Sequence, residues 1–199
     1  MNKQRYSDLD DPQHCLPETA VDMFHNELTG KPLDIIKLGE ALAQNKMNYC
    51  LQKTKTDCAS IALINLNKFF GENTTMRDLP RFRKMLDWNI KDGVYFPNFV
   101  ETLTDLEFEY LDGYGDNIKL EMDKIDFHFE QQLPILMLYH SPEPHLTLLS
   151  KTNKSIWMYN HHDPIKQKFI HTKMTKDRFK KFYSEQTHRP YLIYVIGEK

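Results

Sequence analysis

Gln52-Lys53-Thr54-Lys55-Thr56-Asp57-Cys58-Ala59-Ser60 joins a polar loop to an apolar run, and the reading of this stretch organises the rest of the chain. Ile61, Ala62, Ile64, Leu66 and Phe69 follow at spacings that leave a helix over 58–70 little solvent-facing surface, so that helix is central and buried. Asp57 stands at the N-cap position and Gly71 where the helix should end. Cys58 therefore opens a first helical turn. Unpaired backbone N–H groups and the helix dipole favour negative charge there, which predicts a thiol lowered toward thiolate. A thiolate is a nucleophile, and the Gln52 side-chain amide, six residues ahead, is placed to donate to the oxyanion formed when it attacks a carbonyl.

Working outward, the pattern ahead of this loop is helical and the pattern well after it is not. Residues 1–16 form a loose arm. Helices are expected over 17–30, with Val21, Phe24 and Leu28 on one face, and over 33–44, together making an N-terminal extension of residues 1–46. Further helices are expected over 76–86 and over 97–106, the second with Pro97 in its first turn. From residue 107 the period changes to strands at 107–111, 134–139, 145–150, 155–159, 167–171 and 191–196, with one amphipathic helix over 174–183. Helices first and a mostly antiparallel sheet later give an α+β class.

His145 heads one of those strands, and the next is of matched length, so the two pair as a hairpin turned at 151–154. That hairpin returns Asn160 or Asp163 toward His145. A catalytic base must reach the thiol and be held by a third group, and these residues supply both. The pairing alone leaves Asn160 and Asp163 as alternatives for that group. His161 and His162 are adjacent on an extended segment and point to opposite faces, so they cannot share one ion, and no Cys/His cluster at ligand spacing stands elsewhere. No metal or other cofactor is expected.

Asp57-Cys58-Ala59 before a buried helix, then His145-Leu146-Thr147-Leu148-Leu149, then an aromatic strand running from Ile156 to Asp163-Pro164, resembles the papain-like cysteine peptidase fold. More narrowly it is similar to the bacteriocin-processing peptidase family. The resemblance covers residues 47–196, so a peptidase domain is expected over 47–199. It implies Cys58 as nucleophile, His145 as base, Gln52 as oxyanion donor, and as orienting group Asn160, which fits the strand end fifteen residues after His145, with Asp163 as the alternative. The implied activity is hydrolysis of a peptide or isopeptide bond in a protein or peptide partner. The same machinery serves deamidation, transglutamination and acyl transfer, and the same fold serves as a catalytically inactive peptide-binding module.

Composition limits the remaining classes. At 199 residues with a formal charge of −2 and charges of both signs interspersed, the chain has no electrostatic case for nucleic acid or an acidic membrane. Seven glycines include neither a Walker A nor a GxGxxG arrangement. No stretch reaches the roughly 18 apolar residues of a membrane span. Residues 1–11 are polar and acidic, with no apolar run of a secretion signal. Three cysteines (Cys15, Cys50 and Cys58) are too few for a disulfide framework, so a reducing, cytoplasmic compartment is expected.

Overall fold

The computed structural model describes residues 49–114, 117–140, 143–152, 155–163 and 165–198. The arm and the two helices expected within residues 1–46 lie outside them. The described chain is an α+β unit. Helix α1 (Cys58–Phe69) is followed by a 3-10 turn (Met76–Asp78), α2 (Leu79–Met85) and α3 (Phe96–Asp105). Then come β1 (Phe108–Tyr114), α4 (Ile118–Glu130), β2 (Ile135–His140), β3 (Pro144–Thr152), β4 (Ser155–Asp163), β5 (Lys168–Thr175), α5 (Lys176–Ser184) and β6 (Tyr191–Glu198). The six strands make one antiparallel sheet in the order β1-β6-β2-β3-β4-β5.

Both faces of this sheet are buried. On one face Leu136, Leu138, Leu146, Leu148, Ile193 and Val195 pack with α1, α2 and α3. On the other, Ile135, Met137, Leu149, Met158, Leu192 and Tyr194 pack with α4 and α5. Alternate residues of β2 thus serve opposite cores, which is why its sequence is an unbroken apolar run. Helix α1 is buried from Ala59 through Leu66 without interruption, as a helix between a sheet and two neighbours must be. It ends as its sequence predicts: the Phe70 N–H donates to the Leu66 carbonyl, and Gly71 takes the left-handed conformation at φ 95°.

Three elements depart from expectation. The segment 76–86 is broken, because Pro80 has no N–H to continue a helix and falls in the first turn of a new one. The preceding 3-10 turn closes with a reciprocal cap, Thr75 accepting from the Arg77 N–H while Asp78 accepts from the Thr75 N–H at 2.7 Å. Second, α4 was not anticipated. It buries Glu121, Lys124 and His128 among Met122, Ile125 and Phe129, so no clean apolar stripe marks it. Its legible signal was the cap, Asn117 accepting from the N–H groups of Lys119 and Leu120. Third, Asp57 holds the N-cap position of α1 without capping it, for reasons that belong to the site. Among the described residues no helix is long and apolar enough to cross a membrane.

Candidate active site

The loop ahead of α1 is fixed from three sides. Arg83 of α2 grips the Asp57 carboxylate with Nε and Nη2, each at 2.8 Å, and Thr54 Oγ1 donates to the same carboxylate at 2.6 Å. The Arg83 guanidinium lies 4.0 Å over the Trp88 ring, and Trp88 Nε1 donates to the Thr56 carbonyl at 2.9 Å. Behind Thr56 stands Gly93 at φ +76°, where an added Cβ would sit 3.1 Å from the Thr56 oxygen. Only glycine accepts both that backbone angle and that approach.

The turn of Asp57 toward Arg83 has a consequence for Cys58. With no side chain capping α1, its first N–H groups remain available, and those of Cys58 and Ala59 face the sulfur. The Leu146 N–H of β3 faces it as well. These donors favour the thiolate, but burial is the larger influence and, with the Asp57 charge helping, pushes the Cys58 thiol up. The lowering expected from the helix terminus alone is therefore overturned. Cys58 is half-buried and rests as a neutral thiol. Cys50, by contrast, is buried, with its backbone N–H and carbonyl both tied to the Asn65 side chain at 2.7 and 3.1 Å.

His145 precedes, along β3, the residue whose N–H faces the sulfur. The ring is 5 % exposed and held between two aromatics, the Tyr139 ring at 5.4 Å edge-on and the Phe169 ring at 5.6 Å nearly parallel. Its Nε2 lies 2.5 Å from the backbone carbonyl of Asn160. A carbonyl only accepts, so Nε2 carries the proton and Nδ1 is the basic nitrogen. Burial, with His161 and His162 adding repulsion, lowers its pKa to about 4 against the opposing Asn160 carbonyl. The base is neutral across the physiological range.

The group that holds the imidazole is thus Asn160, by its main chain. Its amide side chain does something else. Pairing of β3 with β4 runs only to Leu148↔Tyr159, and a bulge between Met158 and His161 shifts the β4–β5 register. Asn160 sits in that bulge at φ 64°, in the left-handed region, 1 % exposed. The bulge aims its carbonyl at His145 and its side chain at Gln52. Asn160 Oδ1 accepts from the Gln52 backbone N–H at 2.8 Å, while Nδ2 donates to Gln52 Oε1 at 2.5 Å. The Asn160 N–H donates to His171 Nδ1, and His171 Nε2 donates to the Tyr49 carbonyl at 3.1 Å.

Gln52 is likewise buried, with its amide nitrogen donating to the carbonyls of Thr54 and Lys55 at 2.9 and 3.4 Å. Both hydrogens are occupied, so Gln52 builds the loop and joins it to β4. Asp163 is distant in role from either: its Oδ1 accepts from the N–H groups of Ile165 and Lys166, each at 3.0 Å, and shapes the β4–β5 turn. Hydrogen bonds thus tie His145, Asn160 and Gln52 into one network, Cys58 meets β3 at the N–H of Leu146, the residue after His145, and Asp163 lies outside that network. His161 and His162 diverge, the first binding the Tyr139 hydroxyl at 2.7 Å and the second leaning on Phe169 at 5.2 Å. Among the described residues no three His, Cys, Asp or Glu side chains are grouped to hold a metal ion.

Sequence reasoning missed Tyr139 and Phe169, which fix the imidazole plane, and Arg83, which fixes the loop. The Phe169 position was readable as part of a strand but not as a neighbour of His145, since the bulge decides which β5 residue faces it. The arrangement offers a half-buried thiol beside helix-terminal N–H donors and a tethered, neutral imidazole on the strand that also meets the thiol. No family model matches the chain, and no curated protein matches it.

Proposed function

We propose that this chain is a thiol hydrolase of papain-like type that cleaves a peptide or isopeptide bond in a protein or peptide substrate. The observation that carries the reading is the His145 imidazole, fixed as a single tautomer by the Asn160 carbonyl one residue from the N–H that faces Cys58. In the reaction the Cys58 proton passes to His145 Nδ1 as sulfur attacks the acyl carbon. The oxyanion meets N–H groups at the start of α1, in place of the Gln52 amide. The proton then goes to the leaving nitrogen, the C–N bond breaks, and water hydrolyses the thioester with His145 again as base. A reducing compartment such as the cytoplasm suits a free nucleophilic thiol.

A resting neutral pair makes proton transfer part of the attack and not a preliminary to it. A peptide vinyl sulfone tests the reading directly. Mass spectrometry is expected to find its adduct on Cys58 and none on Cys50, with loss of the adduct in Cys58→Ala and His145→Ala proteins that remain folded. No adduct on Cys58 across a peptide library, or an equal one in His145→Ala, removes the reading. A second reading, a peptide-binding module of the same fold, is favoured by one observation: both Gln52 amide hydrogens are committed within the loop. Peptide retention without any covalent adduct supports that reading.

A further inference from the structure

Beside His145 the surface dips into a recess of about 130 Å³. That is well below the roughly 300 Å³ of the smallest ordinary ligand pockets, and matches a single residue at the end of a chain. Phe169 and His162 form its aromatic lining, and Lys55, Glu143 and Gln167 are the exposed groups that face it. Lys55 comes from the loop ahead of Cys58 and Glu143 from the approach to β3, so the recess spans the two halves of the site. Lys55 and Glu143 form no ion pair among the described residues, with each other or with a third group. Two opposite charges therefore face one residue-sized space against the base.

The proton of the proposed reaction must travel from His145 to the leaving nitrogen, so whatever that nitrogen carries lies on the His145 side. We propose that the recess is the leaving-group subsite and receives the last residue of a peptide, a basic one, with its free carboxylate on Lys55. The basic side chain runs over Phe169 toward Glu143. This rests on the hydrolase reading above and narrows it to removal of single basic residues from free chain ends. The bond broken is the amide ahead of that residue, the bond formed is the Cys58 thioester, and the His145 proton leaves with the amino acid. Water then releases the acyl chain.

The Cys58→Ala protein tests the subsite without turnover. Its His145 and His162 ring resonances are titrated with L-arginine and, separately, with L-argininamide. Arginine is expected to shift both rings and to bind about fivefold more tightly than the amide, the upper end for an exposed ion pair. Lys55→Met is expected to erase that difference, and Glu143→Gln to reduce arginine to the affinity of norleucine. Equal affinity of arginine and its amide, or no shift of either ring at saturation by any of these ligands, overturns the subsite. The vinyl sulfone adduct on Cys58 reports on the hydrolase reading separately: an adduct with no carboxylate preference leaves the hydrolase standing and removes the subsite alone.

Discussion

Replacing Asn160 separates two roles that one residue plays through different atoms. Its carbonyl tethers His145, and its side chain makes two buried hydrogen bonds to Gln52, at 2.8 and 2.5 Å. In Asn160→Gly the carbonyl and the left-handed backbone remain. The two side-chain bonds go, at about 1 kcal/mol each, and glycine's extra freedom in the unfolded chain adds about 0.5–1 kcal/mol. The expected loss of stability is about 3 kcal/mol. Asn160→Ala is free of that glycine term but adds left-handed strain of about 1 kcal/mol, and should likewise lose about 3 kcal/mol. Urea unfolding measures both. The functional outcome differs from the stability outcome. At a temperature where both variants are folded, the rate of Cys58 modification by a peptide vinyl sulfone should fall no more than about threefold in Asn160→Gly, since the tether is backbone. A hundredfold fall in that folded protein, matching His145→Ala, would show that the carboxamide orients the base and would refute the tether.

The neutral resting pair makes its own demand on pH: the rate of Cys58 alkylation by iodoacetamide should keep rising on the alkaline side of the ordinary thiol value, because burial raises the Cys58 pKa, and a plateau well below neutral pH would contradict this. Acid stability follows from the buried histidines. His128 and His145 both fall to about 4, so the native state binds fewer protons than the unfolded chain between roughly pH 6.5 and 4. Stability is therefore complete above pH 6.5 and declines as pH falls through 4, and His128→Gln should flatten that decline in urea midpoints measured from pH 7 to 4. Arg83→Met leaves the Asp57 carboxylate, 1 % exposed, with Thr54 as its remaining named partner. A cost of about 3 kcal/mol is expected, and Asp57→Asn in the same protein should recover part of it. No recovery in that double-variant cycle would mean that Arg83 matters only through Trp88.

Local patterns made much of the fold legible. The apolar positions recurring from Ala59 to Phe69 marked a helix with little free surface, and the matched runs at 145–150 and 155–159 marked a hairpin. Helix α4 was hidden because Glu121, Lys124 and His128 face its buried side, and periodicity cannot register a polar residue that finds its partner inside. At the site, residue identities carried further than geometry. The pattern picked out Asn160 and Gln52, but their side chains bind one another and the loop, and only the Asn160 main chain reaches His145. That follows from a bulge, and a bulge is a property of two strands in register, not of either sequence alone. The thiol's direction of shift was misjudged for a similar reason. A helix terminus is visible in the sequence, whereas the burial that outweighs it arises only once α1 is packed in the fold.

The place of β6 between β1 and β2 ties the assembly of the sheet to synthesis order. Ile193 stands opposite both Asp112 and Leu136, so two strands more than fifty residues upstream meet only through it. A nascent chain that already contains Cys58, His145 and Asn160 still lacks the strand that joins β1 to the rest of the sheet. Contacts of such long range form late and slowly. Ile193→Pro should accordingly abolish cooperative unfolding of the whole unit and not merely fray an edge, as amide hydrogen exchange in α1 would report. A chain stalled before residue 191 should therefore hold β1 apart from β2, although α1, β3 and β4 are already made.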